Sequence, residues 1–362
     1  MNNNMEVIKT WDLVKHYLKP VAHYFDMPGV TEILINTHDE IYIEKNGNLE
    51  KVSACFKNNA EVEKLIEQIG KALDQPVHKD KFPIIDARLP GISGRTGARI
   101  NGVMTPIAVR GACITIRVFP EKILDADDLL NKGTLTKEML EFLKVAVLCR
   151  SNIIVSGGTG SGKTTLINVL CSFIPKDDRI ITIEDTAELQ LNTPHRIAVE
   201  APRRRLDEVH DTQQIDMSFL LRNALRQRPD RIIVGEIRSA DAAASFLQAI
   251  NTGHEGCMTT IHANSTADAL VRMESLAASQ SHGLPYEVIK SQVRGNINLL
   301  IQQQRISGQG RRIVEVAEIV DNQFCPLWLW NYKEKNHTAC NEITNSQIIK
   351  KAQKYSSSDL LQ

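Results

Sequence analysis

The run GGTGSGKT, from Gly157 to Thr164, has the residue types and spacing of a phosphate-binding P-loop. A short apolar strand pattern, Asn152 to Ser156, precedes it and a helical pattern follows, which is the context that this motif requires. Glycines let the backbone turn sharply and point successive N–H groups at phosphate oxygens, and the N-terminus of the next helix adds positive potential. The run therefore predicts a nucleotide site; the alternative is a glycine-rich turn that binds nothing.

Three side chains in this region have separate expected roles. Lys163 is expected to reach the β- and γ-phosphates, the Thr164 hydroxyl to ligate Mg²⁺, and Thr165 to contact the α-phosphate. The expected ligands are ATP and Mg²⁺. The full set of residues expected to bind nucleotide along this run is Gly157, Gly158, Thr159, Gly160, Ser161, Gly162, Lys163, Thr164 and Thr165.

Hydrolysis needs further groups, and two later strand patterns end in acids. The segment RIIVGEIR ends its apolar run at Gly235 and Glu236, and IITIEDTAEL ends its run at Glu184 and Asp185. A carboxylate that leaves the end of a strand beside the P-loop strand is where the Mg²⁺ shell or the attacking water is polarised. Either glutamate alone has a plain alternative, a solvated carboxylate at a strand end. Two such strand ends after one P-loop favour a catalytic role, with Glu236 also a candidate metal ligand.

A third strand pattern, Met258 to Ile261, ends in His262. A histidine at that position could hydrogen-bond the γ-phosphate or a catalytic water. A single histidine is more often a local structural hydrogen-bonding group, so His262 is a candidate only in the company of the other motifs.

The elements that must position these residues divide the chain into four parts. Residues 1–118 show a mixed α+β pattern, with strands predicted at Ile33 to Ile35 and Ile41 to Glu44 and a helix at Ala60 to Leu73. Further strands are predicted at Arg99 to Val103 and Ala112 to Val118. Residues 119–136 are predicted to be a linker, and residues 137–320 alternate strands with helices, which favours a mainly parallel sheet with helices on both faces. Residues 321–362 form a tail of unknown role, with a helix predicted near Ile348 to Gln353.

Composition sets outer limits on function. The chain has 362 residues, 43 basic and 43 acidic, so a strongly basic nucleic-acid coat protein is disfavoured. No signal peptide pattern and no apolar run long enough to span a bilayer is present, which predicts a cytoplasmic protein without an integral membrane segment. The seven cysteines include no pair with two-residue spacing, so reduced structural thiols are expected.

Four segments together resemble a known family. GGTGSGKTT, TIEDTAEL, LLRNALRQRPDRIIVGEIR and TGHEGCMTTIHAN are similar to the Walker A, Asp box, Walker B and His box of the type II/type IV secretion ATPase superfamily, in the family's order and spacing. The resemblance runs from about Thr31 to Val320 and is strongest to the conjugal-transfer, type IV secretion and tight-adherence pilus branch. The type II assembly ATPases typically carry a four-cysteine zinc module, and this sequence has no such cluster.

The resemblance implies a fold and an assembly. It implies an N-terminal α+β domain joined by a flexible linker to a RecA-like P-loop domain, with ATP bound between the two, and a homo-hexameric ring. It also implies work with inner-membrane components of a secretion or pilus machine, at a cytoplasmic or peripheral location, on protein or protein–DNA substrates. Glu184 and Glu236 become the catalytic carboxylates under this resemblance, and His262 becomes a γ-phosphate sensor or relay.

Several arginines are candidates on the same basis. Arg117 in ITIRVF and Arg99 in GARING resemble N-terminal-domain arginines that reach toward the phosphates, although a surface arginine at a strand edge is an equal alternative. Arg226, Arg228 and Arg238 are weaker candidates for phosphate or subunit contacts. The basic run from Arg203 to Arg205 is interpreted as a solvated loop, with a contact to a partner or membrane as the alternative.

Two other functions share the P-loop. A RecA-like nucleic-acid translocase or helicase would favour a basic chain with aromatic residues set among basic ones, whereas aromatics are 5% here. A small-molecule kinase would need an acceptor pocket and lid, and it would not explain the separate N-terminal region.

Overall fold

The computed structural model describes residues 2–73, 75, 77–91, 97–119, 123–201, 215–280, 283–341 and 346–355. The chain divides into two compact units. The first contains residues 1–122 together with 203–212, and the second contains residues 123–202 and 213–362. The run from Arg203 to Arg205, interpreted above as a loop, lies outside the described residues.

The first unit contains an antiparallel sheet. Its described strands are β1 (Val30–Ile35), β2 (Ile41–Lys45), β3 (Asn48–Val52), β4 (Ile84–Leu89), β5 (Ala98–Val103) and β6 (Cys113–Val118), in the spatial order β3-β2-β1-β6-β5-β4. Asn46 and Gly47 both have positive φ (51° and 84°), as the two-residue hairpin turn between β2 and β3 requires. The strands predicted in this region are therefore present, and β3 and β4 are additions.

Two helices cover one face of this sheet. They are α1 (Asn2–Tyr17) and α2 (Asn59–Ala72), and a short 3-10 helix spans Ala22–Asp26. The Asn58 side chain accepts a hydrogen bond from the N–H of Glu61, which caps the start of α2. The apolar side of α2 packs with Trp11 of α1 and with alternate strand residues such as Ile33 and Ile116. The other face carries polar side chains such as Glu32, Asn101 and Arg117 together with the exposed apolar Leu49 and Ile84.

The second unit contains the predicted parallel sheet. Its strands are β7 (Ile153–Ser156), β8 (Ile180–Glu184), β9 (Arg196–Glu200), β10 (Arg231–Val234), β11 (Met258–Ile261), β12 (Leu299–Ile306), β13 (Gly310–Val320), β14 (Gln323–Asn331) and β15 (Asn336–Ala339). The described strands lie in the order β15-β14-β13-β12-β7-β11-β10-β8-β9. Neighbours from β12 to β9 are parallel, whereas β12 to β15 run antiparallel.

Helices lie on both faces of this sheet. They are α3 (Ala126–Asn131), α4 (Lys137–Leu148), α5 (Lys163–Cys171), α6 (Met217–Ala224), α7 (Ala240–Asn251), α8 (Thr266–Gln280), α9 (Tyr286–Asn296) and α10 (Gln347–Tyr355). Ile153 and Val155 of β7 belong to a core cluster with α4 and α5, and Ile154 belongs to a second cluster with α7, α8 and α9. Strand residues alternate between faces, so the continuous apolar runs reflect burial on both sides. The predicted fold class, an α+β region followed by a mainly parallel P-loop sheet, is confirmed.

Two regions differ from the predicted organisation. The segment predicted as a linker, residues 119–136, contains α3, whose Asp125 and Asp128 form a reciprocal capping box. Leu129 and Leu135 are buried in the core of the second unit, which explains why this polar-looking stretch is ordered there. The sheet also continues past Val320, because β14 pairs with β13 and buries Leu327 and Trp328. The predicted helix near Ile348 is α10.

Within the described part of the chain, no helix combines the length and the apolar character needed to cross a bilayer.

Candidate nucleotide-binding and hydrolysis site

The phosphate loop connects the end of β7 to the start of α5, as the sequence predicts. Gly157, Gly160 and Gly162 have φ values of 153°, 68° and 101°. Residues other than glycine adopt these backbone angles only at a cost in free energy. Gly158, Thr159 and Gly160 are exposed at the tip of the loop, whereas Gly157 is buried. The loop therefore opens to solvent while its base is packed.

Lys163 is the first residue of α5 and is 8% exposed. Its Nζ donates to the carbonyl oxygens of Gly157 (2.9 Å) and Gly158 (3.0 Å), so the ammonium lies within the curve of the loop. Thr164 and Thr165 are half-buried in the first turn of the same helix. A cation inside a glycine loop at a helix N-terminus is the arrangement that binds phosphate.

The hairpin of β12 and β13 forms one wall of this loop, and sequence reasoning missed it. A Cβ on Gly157 would overlap the carbonyl oxygen of Gln303, and one on Gly162 would lie 3.0 Å from Gln303 Nε2. Arg311 donates from Nε to the carbonyl oxygen of Gly160 at 3.0 Å. The signal in the sequence is weak: three consecutive glutamines, Gln302 to Gln304, in a strand that begins Leu299-Leu300-Ile301.

A second group of predicted residues meets at the ends of β10 and β11. Nε2 of His262 lies 3.0 Å from Oε1 of Glu236, and Arg238 donates to Oε2 of the same carboxylate at 2.7 Å. Asp185, after β8, lies 3.9 Å from Arg238. Glu236 has 15% of its side chain exposed and His262 has 35%, while Glu236 Oε1 is itself buried and has no hydrogen-bond partner among the residues that the structure describes.

The charges of this cluster are coupled to the phosphate loop. Burial and the nearby positive charge of Lys163 lower the pKa of His262, and Glu236 opposes them. A neutral imidazole is therefore favoured at neutral pH, which can accept or donate a proton. The hydrogen bond to Glu236 raises the pKa of Arg238, so this guanidinium stays charged beside the carboxylate.

Glu184 occupies a different environment from Glu236. It ends β8, is 4% exposed, and its Oε1 accepts the backbone N–H groups of Glu188 and Leu189 at 3.0 Å each. Its side chain lies against Gly235, because a Cβ there would be 2.8 Å from Glu184 Cγ. Burial raises the pKa of Glu184 to about 7, against the effect of the two hydrogen bonds. This carboxyl group can therefore exchange a proton near neutral pH.

The strand order corrects one expectation about this site. Glu236 was expected to leave a strand directly beside the P-loop strand, and that is wrong, because β11 lies between β7 and β10. The carboxyl ends of all these parallel strands still meet at one edge of the sheet, which is where open α/β sheets bind ligands. His262 follows the intervening strand directly, lies beside Glu236, and has its pKa lowered in part by the charge of Lys163.

Arg99 and Arg117 belong to the first unit and face each other across β5 and β6. Arg88 of β4 is opposite Arg99, so three arginines form a row on the face of that sheet that points away from α1 and α2. Arg99 makes a bidentate pair with Asp86, at 3.0 and 2.8 Å. Sequence reasoning missed Arg88 because it did not predict β4. In a strand, Arg88 must point to the face opposite its neighbours Ala87 and Leu89, which are buried.

Arg226 and Arg228 are not brought to the phosphate loop. Both are exposed and precede the amino end of β10, whereas the loop and Glu236 lie at the carboxyl ends of the strands. Of the three weaker arginine candidates, Arg238 alone joins the cluster around Glu236.

The residues present fit a nucleotide with a magnesium ion. In the described part of the chain, the buried Ser161 Oγ and Gln303 Oε1 have no hydrogen-bond partner. Two polar atoms at the base of the loop can therefore still form hydrogen bonds, for example with a bound ligand or water. Among those same residues no group of three or more His, Cys, Asp or Glu side chains could hold a metal by itself. Mg²⁺ is usually held by one or two protein oxygens together with the phosphates, and Thr164 and Glu236 offer such oxygens.

Comparison with known proteins supports the same assignment. The family model described as "Type II/IV secretion system protein" matches residues 15–350. The conjugal transfer protein TrbB of Rhizobium radiobacter is 39% identical over 81% of this chain and 85% of its own length. The type IV secretion system protein VirB11 of Bartonella henselae is 30% identical over 90% of this chain and 98% of its own. The fold is similar to that of the Legionella pneumophila ATPase DotB, with a TM-score of 0.58, 21% identity, and coverage of 85% of this chain and 80% of that one.

The chain belongs to the type II/IV secretion system protein family, and it is an ATPase of that family.

Proposed function

We propose that this protein hydrolyses ATP with Mg²⁺ as a homo-hexameric motor of a type IV secretion, conjugation or related pilus machine. The observation that supports hydrolysis, beyond binding, is the meeting of Glu236, His262 and Arg238 at the sheet edge that carries the P-loop. A P-loop alone would explain nucleotide binding only. The carboxylate and imidazole supply groups that can orient water and move a proton.

In the proposed reaction, the P-loop amides and Lys163 hold the β- and γ-phosphates. A water attacks the γ-phosphorus, the bond to the bridging oxygen breaks, and the water gives its proton to a carboxylate of the site. Glu236 orients that water, and His262 contacts the γ-phosphate or relays the proton. Glu184, whose pKa is raised to about 7 by burial, is the second proton-exchanging carboxyl group. Mg²⁺, when bound by Thr164 and Glu236, would neutralise phosphate charge.

Arg117 and Arg99 are proposed to supply positive charge to the phosphates during turnover. Arginine suits this role because its guanidinium stays charged and forms paired hydrogen bonds with phosphate oxygens. The Asp86–Arg99 pair shows that this guanidinium already binds an oxyanion in a bidentate manner. Replacement of Arg117 by glutamine should then lower kcat more than it raises KM.

The names of the relatives point to the machine. TrbB is described as a conjugal transfer protein and VirB11 as a type IV secretion system protein. We extend that role to this chain, with inner-membrane components as partners, protein or protein–DNA substrates, and a cytoplasmic location peripheral to the membrane. The hexamer rests on the sequence resemblance to the superfamily.

The experiment that tests this proposal measures ATPase activity and mass in solution together, with and without ATP and Mg²⁺. The wild type should hydrolyse ATP and form a hexamer, and Lys163→Ala should lose binding or turnover. Lys144→Ala, on the exposed surface of α4, is a matched control that should keep both.

Three outcomes would contradict parts of the proposal separately. Full activity in Lys163→Ala would remove the P-loop assignment. A stable monomer that hydrolyses ATP would remove the hexamer but leave the ATPase. Turnover that appears only with single-stranded DNA would favour the nucleic-acid translocase instead.

A further inference from the structure

Gln302 joins the two halves of the proposed site. It lies on β12, directly opposite Ser156 of β7, and Ser156 is in turn opposite Ile261 of β11. The Ser156 hydroxyl donates to Gln302 Oε1 at 2.5 Å, and Gln302 Nε2 donates to the carbonyl oxygen of Ala263 at 3.1 Å. One amide therefore connects the residue before the P-loop to the residue after His262.

The burial of this amide argues for a specific role. Gln302 is 1% exposed in a strand whose preceding residues, Leu299 to Ile301, are fully buried and apolar. A polar group is costly to bury unless each of its hydrogen-bonding atoms is satisfied, and here both ends of the amide are. An apolar residue would fill the position without that requirement, so the two hydrogen bonds are the contribution that a glutamine makes here.

The two hydrogen bonds of the Gln302 amide form a bridge that bears on the position of His262, because His262 directly precedes Ala263 in the chain. His262 Nε2 lies 3.0 Å from Glu236 Oε1. The strand β11 ends at Ile261, so the backbone of residues 262 and 263 is no longer held by the sheet ladder. The Gln302 hydrogen bond to the Ala263 carbonyl is consequently a constraint on where the imidazole stands.

We propose that Gln302 is a positioning residue for hydrolysis: it fixes the His262 backbone relative to the P-loop strand, so that the imidazole stays aligned with Glu236. This inference rests on the role of His262 in the proposed function. Misplacement of a catalytic group by about 1 Å can cost on the order of a hundredfold in rate. Loss of the bridge should therefore lower kcat and leave nucleotide binding largely intact.

The neighbouring glutamines provide the contrast. Gln303 lies under Gly157 and Gly162 of the P-loop, so its replacement should act on nucleotide binding. Gln304, the next residue, accepts a hydrogen bond from the Tyr332 hydroxyl at 2.9 Å and is half-buried. Gln304→Met is thus a matched control for Gln302→Met.

The test is a double-mutant cycle in the full-length chain, with kcat and KM for ATP measured in wild type, Gln302→Met, His262→Ala and the double variant. Gln302→Met should lower kcat by about tenfold to a hundredfold, with KM changed by less than about threefold. In the His262→Ala background the same substitution should change kcat by less than about twofold, because the residue that it positions is already gone. Gln304→Met should leave kcat unchanged in both backgrounds.

A second variant covers the case in which Gln302→Met does not fold. Ser156→Ala removes one hydrogen bond of the bridge with the loss of a single oxygen, and it should lower kcat in the same direction and with the same dependence on His262. Equal fold-changes in both backgrounds, or an unchanged kcat in His262→Ala, would overturn the inference. A wild type without ATPase activity would instead overturn the proposed function.

Discussion

Nε2 of His262 lies 3.0 Å from Oε1 of Glu236, and each residue follows the carboxyl end of a separate strand, β11 and β10. The two strands are parallel neighbours, so their ends deliver the imidazole and the carboxylate to the same edge of the sheet. The positive charge of Lys163 helps to lower the pKa of this histidine, which links the pair to the phosphate loop.

Glu236→Gln should separate binding from hydrolysis. Glutamine keeps the shape of the side chain, but it cannot carry the charge that pairs with Arg238 or accept a proton from water. We expect the ATP dissociation constant to change by less than about threefold and kcat to fall on the order of a hundredfold or more. Glu141→Gln, on the exposed face of α4, is the control. A wild-type hydrolysis rate in Glu236→Gln would remove this carboxylate from the mechanism.

Gly157→Ala should lower the thermal stability of the protein, whereas Gly158→Ala should leave it unchanged, although the two residues are adjacent. A Cβ on Gly157 would overlap the Gln303 carbonyl oxygen at a φ of 153°, whereas nothing lies within 4 Å of a Cβ on Gly158. We expect Gly157→Ala to lower the thermal midpoint and abolish ATP binding, because the loop must move off β12. The thermal midpoint of Gly158→Ala without nucleotide should match the wild type. Equal midpoints for the two variants would contradict the packing of the loop on β12.

Glu184→Gln should change how stability depends on pH. Burial raises the pKa of Glu184 to about 7, so this group binds its proton more tightly in the folded chain than in the unfolded one. Its contribution to the free energy of unfolding is fully present below the unfolded pKa and is lost as the pH rises through about 7. Glutamine has no such proton, and its carbonyl oxygen can still accept the N–H groups of Glu188 and Leu189.

The measurement is denaturant unfolding of both proteins at pH 5 and pH 8. Relative to the wild type, Glu184→Gln should gain roughly 1–3 kcal/mol of unfolding free energy between the two pH values. The same comparison with Glu141→Gln controls for the loss of one negative charge from the chain. A difference that does not change with pH would show that the Glu184 carboxyl group is not perturbed by burial.

Asp178→Ala should destabilise the second unit far more than Asp177→Ala. Asp178 accepts hydrogen bonds from Arg231 Nε and from Arg150 Nη2, at 2.8 Å each. Arg231 is 1% exposed, whereas the side chain of Asp177 is exposed to solvent. Removal of the buried carboxylate would leave the Arg231 guanidinium without its counter-charge, at a cost of about 3–5 kcal/mol. Denaturant midpoints of the two variants measure the difference. Equal midpoints would mean that solvent or another group compensates Arg231.

The four motifs, the P-loop residues and the strand-end acids were predictable from the sequence because each depends on local order. A strand, a glycine loop and a helix follow one another in the chain, and Lys163 sits at the start of α5 for that reason. Strand ends of a parallel sheet meet at one edge, so Glu236 and His262 could be expected near the loop before their contact was known. The family followed from the same motifs.

The tertiary structure decided the features that depend on pairing between distant segments. The strand order places β11 between β7 and β10, and it sets β12 against β7, so that Gln303 lies under the loop and Gln302 contacts Ser156. Burial also separated the two glutamates: the Glu184 carboxyl group is enclosed and has a raised pKa, whereas Glu236 is held by Arg238 and His262 in a more open position. The sequence contains both residues at similar strand ends. The raised pKa of Glu184 follows from the packing around it, because desolvation and hydrogen bonding are properties of the folded surroundings.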